Sequence, residues 1–271
     1  MSFLKQLFDF YINSSIHVAL SVCALVGVTL VVFGIPNDEA VAYFAFFGTI
    51  VGYNFVKYDA LARTQKLKMK RQLIVIAVLS FVSLLASGYF FFQLQRTTQI
   101  IGIVVLVLTL LYTLPFFPNK QNARNWAGFK IYIVALCWVG VTVILPVINA
   151  GLPIDPTVFL VTVQRFIIVF VLILIFEIID LQHDDPHLKT VPQQIGVKYT
   201  KILGTVLLLV FLGLECLETH LDHSALIIKS MITTIIWLFL VFANEKRSGY
   251  YTSFWVESIP ILWWILLFFE K

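Results

Sequence analysis

What most constrains this chain is a near-unbroken succession of apolar stretches parted by short polar or charged breaks. A helix needs about 20 apolar residues to cross a hydrocarbon core roughly 30 Å thick. Segments 17–34, 41–55, 73–94, 99–117, 129–148, 157–179, 202–217, 225–242 and 254–269 each approach that length. Hydrophobic residues make up 60% of the chain and charged residues only 13%, against roughly 25% charged in a soluble domain. A water-soluble fold cannot bury so much apolar surface. The expected class is an all-α integral membrane protein, a bundle of about nine transmembrane helices.

The first apolar segment runs into Gly34, Ile35 and Pro36 without a small-residue cleavage site, so it is read as a retained span and not as a signal peptide. Ahead of it, residues 1–16 place Phe3, Leu4, Leu7, Phe8 and Phe10 beside Lys5 and Asp9. Two readings stand there, a short interfacial helix or a disordered start. Residues 17–271 are expected to form one polytopic membrane domain. Cys23, Cys137 and Cys216 lack metal-ligand spacing and read as small packing residues.

The distribution of basic residues gives an orientation. Most of the 19 Lys and Arg fall in the connections after the second, fourth, sixth and eighth segments, among them Lys57, Lys120, Lys130 and Lys189, whereas the opposite connections carry only Arg96. The positive-inside rule then predicts a cytoplasmic N-terminus and cytoplasmic functional loops, with the C-terminus outside. The expected location is a bacterial inner membrane. A net charge of +4 carried in short loops gives no surface for nucleic acid.

One acidic cluster breaks the apolar pattern. Glu177, Asp180 and Asp184 stand at i, i+3 and i+7 near the end of the sixth segment, within about 60° on one helical face. Carboxylates at a helix C-terminus oppose its partial negative charge and repel one another, so they need a cation. Mg²⁺, held by one or two carboxylates and substrate phosphates, answers that need; a solvated cap paired with Lys189 and Lys198 is the plain alternative. His183 and His187 have zinc-like spacing, but Pro186 between them breaks the helix that would align them. Arg165, about 18 Å up the same helix from Glu177, is expected to snorkel outward, as is Lys229. Glu257 has two readings: pairing with Lys246 or Arg247, or lining a cavity.

The stretch Glu177-Ile-Ile-Asp180-Leu-Gln-His-Asp184, followed by Lys189-Thr190-Val191-Pro192 and Gly196, resembles the second aspartate-rich motif of the UbiA superfamily of intramembrane prenyltransferases, with Glu177 in place of its first Asp. Tyr112-Thr113-Leu114-Pro115 leading to Lys120 is similar to the family's Y-x-x-P loop, and Phe129-Lys130 before the fifth span also fits. The first aspartate-rich motif is degenerate: Gly52-Tyr53-Asn54 lies where it belongs, but Phe55, Tyr58 and Ala62 occupy the acid positions, and Asp59 is one residue out of register.

The resemblance implies a UbiA-type nine-helix bundle that moves an isoprenoid group from a prenyl diphosphate to a hydrophobic, aromatic acceptor. Glu177, Asp180 and Asp184 would be the metal-binding and catalytic set for one Mg²⁺, a second site being in doubt. Asn54, Lys57, Lys120, Lys130, Lys189 and Tyr112 would contact the diphosphate. Lys57, at i+3 from Asn54, either stands in for the lost metal or snorkels to headgroups; a Lys57→Ala variant that keeps diphosphate binding rules out the first. The alternatives are a membrane terpene cyclase, or a family member that binds isoprenoid or lipid without catalysis. A transporter is disfavoured, because the two halves show no matching pair of Gly/Pro-broken segments.

Overall fold

The computed structural model describes residues 3–64, 71–114, 128–182, 184, 188–217 and 223–270. They form helices and turns, with no strand among the described residues: α1 (Phe3–Asn13), α2 (Ile16–Val32), α3 (Glu39–Thr64), α4 (Arg71–Phe91), α5 (Arg96–Thr113), α6 (Lys130–Val139), α7 (Leu145–Asn149), α8 (Pro156–Asp180), α9 (Val191–Leu214), α10 (His223–Phe242) and α11 (Ile259–Glu270). A π turn, Gly140–Ile144, joins α6 to α7 as one span, and another, Tyr251–Val256, leads into α11. Wide turns of this kind absorb one residue more than an α-helical turn and recur where a helix is adapted to a function.

Among the described residues eight spans are long and apolar enough to cross a membrane, nine when the pair α1 and α2, bent by 53°, is counted as one span. This agrees with the number of apolar segments in the sequence. The boundaries differ in two places. Helix α3 runs on to Thr64, beyond residue 55, so Lys57 is helical. Helix α9 starts at Val191, well before the apolar segment 202–217. Pro192 sits in its first turn, where a missing N–H costs nothing, and the Thr190 N–H donates to Gln193 Oε1 at 3.0 Å. Gly196 then kinks the helix at φ 79°, a value that only glycine adopts at no cost. Lys198 and Lys201 therefore lie on a helix and not in a loop.

Helix α8 is the most buried of the spans. Its Asp155 N-cap accepts from the Val158 N–H at 2.8 Å and Pro156 follows, a standard start signal. Ile168, Ile175 and Ile178 are fully buried in one cluster with residues of α2, α9, α10 and α11, and Leu174 in another with Ile131 of α6.

Two cations expected to snorkel are instead interior. Arg165 is 2% exposed; its guanidinium donates to Leu25 O (2.9 Å) and Thr29 Oγ1 (3.3 Å) and lies over the Trp263 ring at 5.5 Å. Lys229 pairs with buried Glu215, whose Oε2 also accepts from Gln164 Nε2 at 3.0 Å. Charges in a membrane bundle face inward to partners when the bundle supplies them, and these partners come from other helices, invisible to a local reading.

Candidate active site: a chamber with one polar end

A chamber of about 800 Å³ lies inside the bundle, walled by α2, α3, α4, α5, the α6–α7 span, α8 and the last span. Most of its wall is apolar or aromatic, from Phe44 and Phe91 at one end to Phe176 at the other. The charged groups gather at the second end. Helices α5 and α8 finish there, bringing Tyr112 and Asp180, while α6 begins there with Lys130 and the last span begins there with Glu257. Alternating helix direction thus places four sequence-distant polar side chains at one mouth.

The acidic face of α8 forms part of this mouth. Glu177 and Asp180 line the chamber. Glu177 is 2% exposed, and its Oε2 accepts from the Val191 N–H at 3.0 Å, satisfying a free donor at the start of α9. Asp180 is exposed, and Asp184 carries on the helical hydrogen-bonding pattern through its N–H to Asp180 O at 2.9 Å. Lys130 Nζ stands 3.6 Å from Asp184 Oδ2, and its charge also acts on Glu177.

Local backbone geometry puts Lys130 there. Gly128 adopts φ +77° and its N–H donates to Leu188 O at 3.3 Å, docking the entry to α6 on the segment before α9. A Cβ on Gly128 would lie 3.2 Å from Gln194 Nε2, so a side chain there is strained by φ and also presses on the Gln194 amide.

The remaining predicted site residues separate. Tyr112, 6% exposed, lines the chamber. Asn54 does not: its Oδ1 accepts from Ser15 Oγ–H (2.8 Å) and its Nδ2 donates to Ser14 O (3.0 Å) and Ser80 Oγ (2.9 Å), tying α3 to the α1–α2 corner and to α4. Its neighbours Gly52 and Tyr53 take the wall. Lys57 also lies off the wall, with its charge acting on Glu257. Lys189 is exposed and away from the chamber. Lys120, with Pro115, His183 and His187, lies outside the described residues.

Of the two readings of Glu257 the structure has the second, lining a cavity, and two further groups gain weight that local sequence reading did not give them. Glu257 lines the chamber, Tyr53 faces it, and Trp138 donates its Nε1–H to Tyr53 Oη at 2.8 Å. The turn carrying Glu257 is held in place from behind: His17 Nε2–H donates to Phe254 O at 2.9 Å, with Tyr11 Oη–H on its Nδ1 at 2.6 Å, and Ser21 Oγ–H donates to the Glu257 carbonyl.

Among the described residues no three His, Cys, Asp or Glu side chains converge to hold a metal unaided. Mg²⁺ ordinarily takes one or two carboxylates and completes its shell with phosphate and water. Asp180, open to the chamber, and Asp184, whose buried Oδ2 has no hydrogen-bond partner among the described residues, fit that smaller donor set.

No protein-family model matches the sequence, and no curated protein matches it. Solved structures do match. A UbiA homolog from Aeropyrum pernix K1 superposes with a TM-score of 0.68 at 14% identity, covering 94% of this chain and 98% of that one. A UbiA homolog from Archaeoglobus fulgidus bound to GPP and Mg²⁺ gives 0.63 at 12% identity over 96% and 98% of the two chains. A structure of digeranylgeranylglyceryl phosphate synthase gives 0.58 at 14% identity over 98% and 96%.

The chain has the UbiA fold.

Within this UbiA fold, the stretch that resembles the second aspartate-rich motif forms the acidic mouth of the chamber. The segment aligned in sequence with the first motif contributes Gly52 and Tyr53 to the wall, with Phe55 and Tyr58 at acid positions.

Proposed function

We propose that this chain is a UbiA-type intramembrane prenyltransferase that takes an isoprenoid group from a prenyl diphosphate and passes it to a hydrophobic, aromatic acceptor. The observation that carries this reading is the chamber itself, an apolar, aromatic-walled space of about 800 Å³ whose single polar end holds Glu177, Asp180 and Lys130. An isoprenoid tail suits the apolar length, and a diphosphate suits the polar end. The fold shared with a homolog bound to GPP and Mg²⁺ supports the same pairing. The basic connections at that end favour a cytoplasmic side for it under the positive-inside rule.

Each residue has a task at that end. Asp180 and Asp184 would hold one Mg²⁺, which when bound neutralises charge developing on the diphosphate leaving group. Lys130 offers a point charge to a phosphate oxygen. Glu177, fixed by the Val191 N–H, keeps the end of α8 and the start of α9 in register. The apolar walls exclude water from an allylic cation, which water would otherwise capture.

A second reading, isoprenoid binding without turnover, is favoured by one observation, the absence of acids at Phe55, Tyr58 and Ala62. Purified protein in nanodiscs, supplied with Mg²⁺ and geranyl, farnesyl or geranylgeranyl diphosphate, separates the two through diphosphate release. Release that is lost in Asp180→Asn supports the enzyme. Binding of the diphosphates with no release from any of them supports the binder, and neither binding nor release refutes both.

A further inference from the structure

The polar end of the chamber has two poles. One is the α8 face with Lys130. The other, on the last span and α3, has no part in the chemistry assigned above: the Glu257 carboxylate and the Tyr53 hydroxyl both line the chamber, and the charge of Glu257 acts on Tyr53. Among the described residues no donor reaches the Glu257 carboxylate by hydrogen bond; the one cation whose charge acts on it is Lys57, off the chamber wall. A carboxylate on an apolar chamber wall without a hydrogen-bond donor is costly, which marks a place where a donor from a ligand is gained.

Tyr53 supplies the complementary half. A phenol both donates and accepts. Its oxygen already accepts from Trp138 Nε1–H at 2.8 Å, so its own proton remains to be given. Acceptor and donor on one wall, with the Trp138 ring at 6.4 Å between centroids from Tyr53, match a hydroxyl on an aromatic ring.

Charge restricts the ring further. Among the described lining residues, Glu177, Asp180 and Glu257 are acidic and Lys130 alone is basic. Lys130 is engaged with Asp184 and, in the prenyl-transfer reading, with a phosphate oxygen of the donor. A carboxylate on the acceptor would add negative charge to an end that already carries an excess and would find no free cation there.

We propose that Glu257 and Tyr53 form the acceptor pole of the chamber, holding the hydroxyl of an uncharged aryl acceptor and disfavouring aryl carboxylates. This rests on the prenyl-transfer reading for its meaning, but not for its test, which measures binding alone. Equilibrium dialysis against protein in nanodiscs, corrected with empty nanodiscs, compares 1-naphthol with 1-hydroxy-2-naphthoate; geranyl thiolodiphosphate with Mg²⁺ is measured in the same samples.

The expected result is 1-naphthol binding at least about tenfold tighter than the carboxylate, whose hydroxyl is already given to its own neighbouring carboxylate, so that one hydrogen bond to a charged group is lost and a like charge is added. Glu257→Gln lowers 1-naphthol affinity and narrows the gap. Tyr53→Phe lowers 1-naphthol affinity and keeps the preference for the neutral ring, and it carries the test if Glu257→Gln does not fold. Equal binding of the two rings, or 1-naphthol affinity unchanged in either variant, overturns the acceptor pole. Failure of the thiolodiphosphate to bind overturns the prenyl diphosphate reading instead, with the acceptor pole still decided by the 1-naphthol result.

Discussion

Removing the ammonium of Lys229 while leaving Glu215 in place is expected to destabilise the bundle severely, and removing both charges is not. Glu215 is 2% exposed and Lys229 7%, so Lys229→Met strands a carboxylate in the bundle interior. Breaking a buried ion pair from one side costs about 3–5 kcal/mol, whereas replacing both partners by neutral groups of similar volume is often close to neutral. Gln164 Nε2 still donates to Glu215 Oε2 at 3.0 Å after the change, which puts the expected loss near the lower bound, about 3 kcal/mol, or more than a hundredfold in the folding equilibrium. Lys229→Met combined with Glu215→Gln is expected to recover most of it, because the amide introduced by the second substitution can still pair with that of Gln164. Equilibrium unfolding in mixed micelles with increasing denaturing detergent, read for wild type, both single variants and the double, closes the cycle. A loss below about 1 kcal/mol in Lys229→Met, the range of an exposed pair, or a double variant no better than the single, refutes the reasoning that this pair is an interior tie between α9 and α10.

Three further outcomes follow from the geometry. Gly128→Ala is expected to cost about 1–2 kcal/mol for the left-handed backbone and to weaken Mg²⁺-dependent geranyl thiolodiphosphate binding by displacing Lys130; equilibrium unfolding and dialysis read the two effects. Asn54→Ala is expected to lower stability by about 2 kcal/mol through three broken hydrogen bonds, and the same unfolding titration checks it. Asp180→Asn is expected to lower thiolodiphosphate affinity in the presence of Mg²⁺ by at least about tenfold with little change in its absence, which isothermal titration with and without chelator resolves.

The bundle was legible in the sequence because each span carries its own signal, an apolar run long enough to cross a bilayer, and the acidic face of α8 was legible because i, i+3 and i+7 share a side of one helix. What escaped depends on other helices. Arg165 and Lys229 looked like surface cations because Leu25, Thr29 and Glu215, which receive their hydrogen bonds, are distant in sequence. Asn54 looked like a site residue from its place in a motif, and only the α1–α2 corner and α4 show where its amide is used. Glu257 kept two readings, an ion pair or a cavity wall, because it follows the π turn Tyr251–Val256; the extra residue in such a turn shifts the helical phase by roughly 100°, so a regular wheel does not choose between them. Tyr53 sits one residue from Asn54, and a single residue was enough to exchange tie and wall.

The account depends on the interior chamber, and not the lipid-facing surface, being where the isoprenoid lies. A geranyl diphosphate analogue bearing a diazirine at the far end of its chain, irradiated with the protein in nanodiscs and mapped by peptide mass spectrometry, tests this directly. Mg²⁺-dependent adducts on chamber residues such as Phe44, Phe91 and Val105 are the predicted result. Adducts confined to outward residues such as Phe92, Ile100 and Leu209, or labelling indifferent to Mg²⁺, would contradict it.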